Sequence, residues 1–345
     1  MKRRSFLRTG TVFLGAPAGA SVAFSLAGTL PGLVHAAERK ERWISPSSIT
    51  PLQCYVAVAK EKGFFEAEGL DITIQATPGT ANAVTQLAAG AAKFAQGAAI
   101  TTVPAIANRD AGVITVGQTI YRSVFELTSP ADNPIRPGDS LAGKTIGVMS
   151  MGGSTDQLLD AICVASGTDP KSVKRVVTGF SASAYAFLQR KQVDAFFTYY
   201  PMRLALEAQG APLIYVNTDD IVPIPPDSII VARSALDNEA DRAAVVGYLR
   251  ACAKGLRFLL DPANWDEATT VLGKYNPVEA QDRALARKKF EAVAALAKRP
   301  AHVPFLHCDD QAWTSGVRIM EQCGFIKPNA KPMSAYYTND LVKLI

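Results

Sequence analysis

Apolar and polar positions along this chain switch repeatedly between a period of two and a period near 3.6. Residues 145–150 (TIGVMS) are a short apolar run rich in β-formers, followed by Met151, Gly152, Gly153, Ser154 and Thr155. Residues 156–166 then set Leu158, Leu159, Ile162 and Val164 at helical spacing. The pattern continues with a strand over 172–177, a helix over 182–191, a third strand over 193–199, and Pro201 opening a further helix. Strands alternating with helices of this length predict right-handed βαβ crossovers and a parallel sheet. In such a sheet a ligand sits beyond the carboxyl ends of the strands. Here those ends carry 150–155, 179–181 and 198–200, rich in hydroxyls, glycine and tyrosine.

The preceding region repeats that order. Strands are predicted at 42–45, 70–76, 93–98 and 112–120, and helices at 52–62, 81–90 and 103–110, with Thr101 and Thr102 as N-cap candidates. The repeat is also local: residues 87–95 and 188–195 each end a helix in a tight turn and enter a strand of small and aromatic residues. The fold class is therefore α/β and bilobed, two α/β lobes joined by two crossover segments with the ligand between them. The crossings are expected at 121–130 and at 217–230, the second loosened by Pro223, Pro225 and Pro226. Lobe I would comprise 37–128 and 228–345, and lobe II 129–227. From 238 onward helices are predicted at 241–260, 265–272, 277–296 and 309–323, packing on lobe I, with a short helix closing the chain.

Composition adds a compartment. Lys2, Arg3, Arg4 and Arg8 precede an uncharged Ala/Gly/Leu-rich stretch, and Val34-His35-Ala36 supplies small residues where a signal peptidase reads. Residues 1–36 thus read as a twin-arginine-type signal peptide, broken by Gly15, Pro17, Gly19, Gly28 and Pro31 as a membrane anchor would not be. The formal charge is +5, and cleavage removes four basic residues and no acidic one, leaving +1. That balance argues against nucleic acid as a partner. Of the five cysteines, Cys54, Cys163 and Cys252 lie in helical, alanine-rich surroundings and read as buried fillers; Cys308 and Cys323 could pair or stay free.

Several segments resemble the periplasmic substrate-binding proteins of the nitrate/sulfonate/taurine/thiamine-pyrimidine-precursor group of ABC importers. They are 55–57, 62–65 (KGFF), 69–71, 87–90, 141–148 (LAGKTIGV), 193–201 and 337–339. The resemblance implies a type II periplasmic-binding-protein fold that closes on a small solute and hands it to an inner-membrane permease. It implies a periplasmic monomer with no cofactor. Carried over residue by residue, it assigns ligand contact to Ser47, Ser48, Thr80, Thr101, Ser154, Thr155, Tyr199 and Tyr200, within loops that include 77–80. Members that take the pyrimidine precursor surround the ring with aromatic and acidic groups, for which Asp156 and Asp227 are the nearest acids here.

The glycine-rich loop before Ser154 can present N–H groups and hydroxyls to an oxyanion at a helix start, or serve as an ordinary cap. It lacks the Gly-Lys-Ser/Thr of a P-loop. Tyr199 and Tyr200 are adjacent, so one is expected to pack and the other to face the cleft. Arg122, in the first crossing, is either a solvated hinge residue or an anion partner. His302, His307, Cys308, Asp309 and Asp310 resemble metal ligands, but Asp309 or Asp310 is also a natural helix cap. Neutral donors without a clustered cation favour a small organic anion, sulfonate- or taurine-like, with a pyrimidine precursor or an aromatic acid as alternatives. An enzyme of the same fold, the thiamine-pyrimidine synthase, uses a clustered cysteine motif. No two cysteines here are adjacent, and 179–183 (GFSAS) lacks the second glycine of a nucleophile elbow.

Overall fold

The structure, a computed structural model, describes residues 39–345; the expected signal peptide lies outside the described residues. Ten strands alternate with helices in chain order. The first half holds β1 (Arg39–Ser45), α1 (Cys54–Glu61), β2 (Leu70–Ala76), α2 (Gly79–Ala88), β3 (Phe94–Ala98), α3 (Ala99–Arg109) and β4 (Val113–Gln118). The second holds β5 (Phe125–Pro130), β6 (Thr145–Val148), α4 (Ser154–Ala165), β7 (Lys174–Val177), α5 (Tyr185–Gln189), β8 (Ala195–Tyr199), α6 (Tyr200–Ala208) and β9 (Leu213–Asn217). After β10 (Asp227–Ala232) come α7 (Glu239–Leu260), α8 (Trp265–Tyr275), α9 (Pro277–Ala280), α10 (Arg283–Leu296) and α11 (Asp310–Gln322).

The strands form two five-stranded sheets of one plan, β2-β1-β3-β10-β4 and β7-β6-β8-β5-β9. In each, three parallel strands built by βαβ crossovers are followed by one antiparallel strand, β10 or β5, and then by an outer strand on its far side. The antiparallel strand is the one that has just crossed from the other sheet. Its first residue therefore lies at the edge where the parallel strands end. Asp227 pairs with Ala98, the last residue of β3, and Phe125 pairs with Tyr199, the last residue of β8.

Two boundaries differ from the sequence reading. Residues 125–130 are not a crossing but β5, an interior strand of the second sheet, so the first crossing is 119–124 and the return is 218–226. Ser123 and Thr218 hydroxyls meet at 2.6 Å, Asp219 accepts from Ser123 N at 2.7 Å, and Arg122 pairs with Asp220 at 3.1 Å, tying the crossings together. The helix over 277–296 is interrupted: Asp282 caps α10 by accepting from Leu285 N at 2.9 Å. The helix predicted from 103 starts at Ala99, which puts Thr101 inside its first turn rather than at the cap.

On the first sheet α1 and α7 cover the face bearing Trp43, Phe94, Ile229 and Val231, with Tyr248 stacked on Phe94 at 4.0 Å between ring centres. Gly255 of α7 permits that approach, since a Cβ there would lie 2.2 Å from Tyr55 O. All five cysteines are free; Cys54, Cys163, Cys252 and Cys308 are buried and Cys323 is half-buried. Asp309 caps α11 by accepting from Gln311 N and Ala312 N, while Asn339 bonds Cys308 N, so this cluster has structural work. Among the described residues no helix is long and apolar enough to cross a membrane.

Candidate functional site

The carboxyl ends of the parallel strands in both sheets face one cavity of about 40 Å³. The first sheet's half contributes Pro46, Ser47, Leu52, Gln53, Gly79, Thr80 and Asp227. The second contributes Val124, Phe125, Met149, Ser150, Ser154, Thr155, Phe180 and Tyr199. Ser47, Phe180 and Tyr199 also line an outer cleft of about 600 Å³, reached as well by Ser48 and by residues of α9 and α10.

Asp227 dominates the cavity electrostatically. Its residue surface is 6% exposed, no lysine or arginine lines the cavity with it, and burial pushes its carboxyl up to about 6. Gln96, on the neighbouring strand, stands close enough to offset part of that rise, though without a bond of good geometry. Gln96, two residues before Ala98, the strand partner of Asp227, is fully buried and leaves both amide atoms unpaired, as Tyr55 leaves its hydroxyl. Buried polar groups are ordinarily bonded, and each exception calls for a partner the chain does not supply. Gln53 binds Thr50 N and Oγ1 through Oε1, at 3.2 and 2.7 Å, which leaves its amide nitrogen available toward the cavity. The polar floor thus combines the acceptor-only Asp227 with the amide of Gln53, and Gln96 lies behind it, outside the lining.

The facing wall is aromatic and apolar: Phe125, Phe180, Tyr199, Val124 and Met149. Burial raises the Tyr199 phenol above its ordinary value, so it stays a neutral donor.

The residues expected to hold the ligand separate into three groups. Ser47, Thr80, Ser154, Thr155 and Tyr199 line the cavity. Ser48 does not; it sits on the outer cleft. Thr101 and Tyr200 do not line the cavity. Thr101 lies behind it, bonded to Ser154 at 3.2 Å, and Tyr200 starts α6 and turns toward Arg203 and the cluster around Leu296. That resolves which of the two tyrosines faces inward. Adjacent residues at a strand end point to opposite faces, and Tyr199 is paired with the cavity residue Phe125.

The glycine-rich loop differs most from expectation. Gly152 N donates to Asp156 at 2.8 Å, Gly153 N to Ser150 O at 3.4 Å, and Met149 N to Thr155 Oγ1 at 2.9 Å. Asp156 is held in turn by Arg175 at 2.8 Å. Three amides of the 149–153 stretch are thereby occupied, whereas Ser154 N and Thr155 N in the first turn of α4 stay without a bonded acceptor among the described residues; Asp156 is a loop brace, not a cavity acid. Sequence reading named Asp227, with Asp156, as the nearest acid and passed over Gln96 and Gln53. The available signal was a carboxylate opening a strand whose 229–232 are all apolar, and a glutamine inside 94–98.

The family model described as NMT1/THI5 like matches residues 52–264. The chain belongs to that family. It is similar to the formylaminopyrimidine-binding protein of Halalkalibacterium halodurans, 24% identical over 265 residues that span 75% of this chain and 78% of that one. In fold it matches the alkanesulfonate-binding protein of Xanthomonas axonopodis pv. citri bound to MOPS, with TM-score 0.64 and 18% identity over 88% of this chain and 99% of that one. It also matches the periplasmic nitrate-binding protein of Synechocystis PCC 6803, with TM-score 0.63 and 13% identity over 88% and 87% of the two chains. The bilobed arrangement of this NMT1/THI5-like chain is that of periplasmic binding proteins.

Proposed function

We propose that this chain is the extracytoplasmic solute-binding protein of an ABC importer, which closes two lobes on a small solute and delivers it to the permease. The lobes are assigned by sheet, with the crossings at 119–124 and 218–226 as hinge. It works in the periplasm as a monomer, exported by the twin-arginine signal at 1–36. The solute is a small nitrogen-bearing ring or amine that presents N–H donors, of the aminopyrimidine type. Asp227 carries this reading: a carboxylate facing the cavity, without a cation, wants a donor and repels an anion. Tyr199, Phe180 and Phe125 would cover the ring faces, and Gln53 would bond its edge. The pyrimidine-binding relative is in keeping with it.

A small organic anion, sulfonate- or taurine-like, is the second reading. The first turns of α2, α3 and α4 bring Thr80, Thr101 and Ser154 together, and positive helix ends favour anions. Against it, Asp227 faces the same cavity without a lysine or arginine, and those hydroxyls bond one another. An aromatic acid meets the same objection from Asp227. Thermal-shift measurements across aminopyrimidines, alkanesulfonates, nitrate and aromatic acids test the choice. Stabilisation by the aminopyrimidines alone is expected, and stabilisation by an alkanesulfonate alone would overturn it.

A further inference from the structure

The two halves of the molecule touch where α6 packs on α10 and, beside the cavity, at the hydroxyls of three helix starts. Ser154, first residue of α4, donates to Thr80 Oγ1 at 3.3 Å and lies 3.2 Å from Thr101 Oγ1. Thr80 and Thr101 belong to α2 and α3, on the first sheet's half; Ser154 belongs to the second. Ser154 has a single hydroxyl hydrogen. With it given to Thr80, Thr101 must donate into Ser154, and both bonds form without any solute atom, leaving the Thr80 hydroxyl hydrogen unused. The three residues are 1%, 7% and 3% exposed in that order, so water does not compete while the halves are together. Nearby backbone is pared to glycine where the halves meet: a Cβ on Gly79 of α2 would lie 2.6 Å from Ser150 Oγ of the other half.

We propose that Thr80, Thr101 and Ser154 form a solute-independent latch that sets how much of the protein is closed, and so scales its affinity for every solute alike. In an open form each hydroxyl is hydrated; in the closed form the bonds are made in a dry interface. The net gain per bond shifts the closed-to-open ratio by about two- to ten-fold. A solute that binds the closed form has an apparent affinity proportional to the closed fraction, whatever its chemistry. Thr101 is the informative member, because it does not line the cavity and cannot touch a solute there. The three are positioning residues: they act through closure rather than through a solute contact.

The latch is tested on the full chain by small-angle scattering without solute, so the outcome does not depend on which solute is correct. The parent should show the radius of gyration of the closed structure. Thr101→Val, which keeps the side-chain volume and removes the hydroxyl, should enlarge it, as should Ser154→Ala, and Thr101→Ser should restore the closed radius. Calorimetry, which rests on the binding function proposed above, should show the Thr101→Val affinity for every solute reduced by one common factor, no larger than the about two- to ten-fold change in that ratio. An open parent, a Thr101→Val radius equal to the parent's, or failure of Thr101→Ser to rescue an opened Thr101→Val would overturn the latch. So would a Thr101→Val loss confined to one solute. Circular dichroism of each variant identifies one that has not folded, and the remaining variant then decides.

Discussion

Asp227 and Phe125 occupy the same place in two sheets of the same plan. Each opens the antiparallel strand that has just crossed over, and each pairs with the last residue of the third parallel strand, Ala98 or Tyr199. Topology alone would make the two halves of the cleft alike. Side-chain chemistry makes them opposite: a carboxylate over alanine on one side, two aromatic rings on the other. A flat ring with a donor-bearing edge fits between such walls better than a small oxyanion does. The glycine-rich loop extends the lesson. Asp156, Ser150 and Thr155 already accept from Gly152, Gly153 and Met149, so the donors that this stretch leaves open are the first-turn amides at Ser154 and Thr155. A motif rich in donors is thus partly spent on its own loop, while a buried carboxylate without a cation sets the sign of the cavity.

The comparison breaks most readily at the polar wall. Asp227→Asn should weaken binding of a donor-bearing ring by about ten- to a hundred-fold, the range for a hydrogen bond to a charged group. Titration calorimetry reads this directly, and an unchanged affinity would return Asp227 to a purely structural role.

The same carboxylate should leave a mark without solute. Its folded-state value of about 6 is raised from 3.8, so between those values the folded chain binds more protons than the unfolded one. Stability from this group is therefore greatest at low pH and falls as pH rises through that window. Between pH 5 and pH 7 the loss is about 1 kcal/mol. Chemical denaturation of the parent and of Asp227→Asn at both pH values isolates it, since the substitution should remove that part of the pH dependence.

On the aromatic wall, Tyr199→Ala should reduce affinity several-fold through lost ring contact, about 1 kcal/mol, whereas Tyr200→Ala should leave the solute contacts intact. Equal losses from the two would contradict the assignment of Tyr199 to the cavity. The smallest effect belongs to the loop. Thr155→Val removes the acceptor for Met149 N and should cost about 0.5–1 kcal/mol of stability. A denaturation midpoint that does not move would mean that this bond contributes nothing.

Much of this fold was legible in the sequence. The apolar runs at 145–150 and 193–199 and the amphipathic 156–166 became β6, β8 and α4 because strand and helix periods are distinct over such lengths. Residues 125–130 misled because an extended crossing and an interior strand share one backbone conformation, and Pro130 at its end suggested a linker. The start of α3 was displaced because Thr101 and Thr102 look like caps, while Ala99 and Ile100 carry no cap signal. Half of the site was legible as loops at strand ends. The rest depended on pairing: nothing local shows that Asp227 will be buried opposite Ala98, or that the loop donors will be occupied by Asp156 and Thr155.

The central claim is that the cavity recognises a donor-bearing ring through Asp227. Titration calorimetry of the parent protein at pH 7.5, with an aminopyrimidine and separately with an alkanesulfonate, tests it most directly. The account predicts saturable binding of the aminopyrimidine and none of the alkanesulfonate. Tight binding of the alkanesulfonate with no heat from the aminopyrimidine would contradict it.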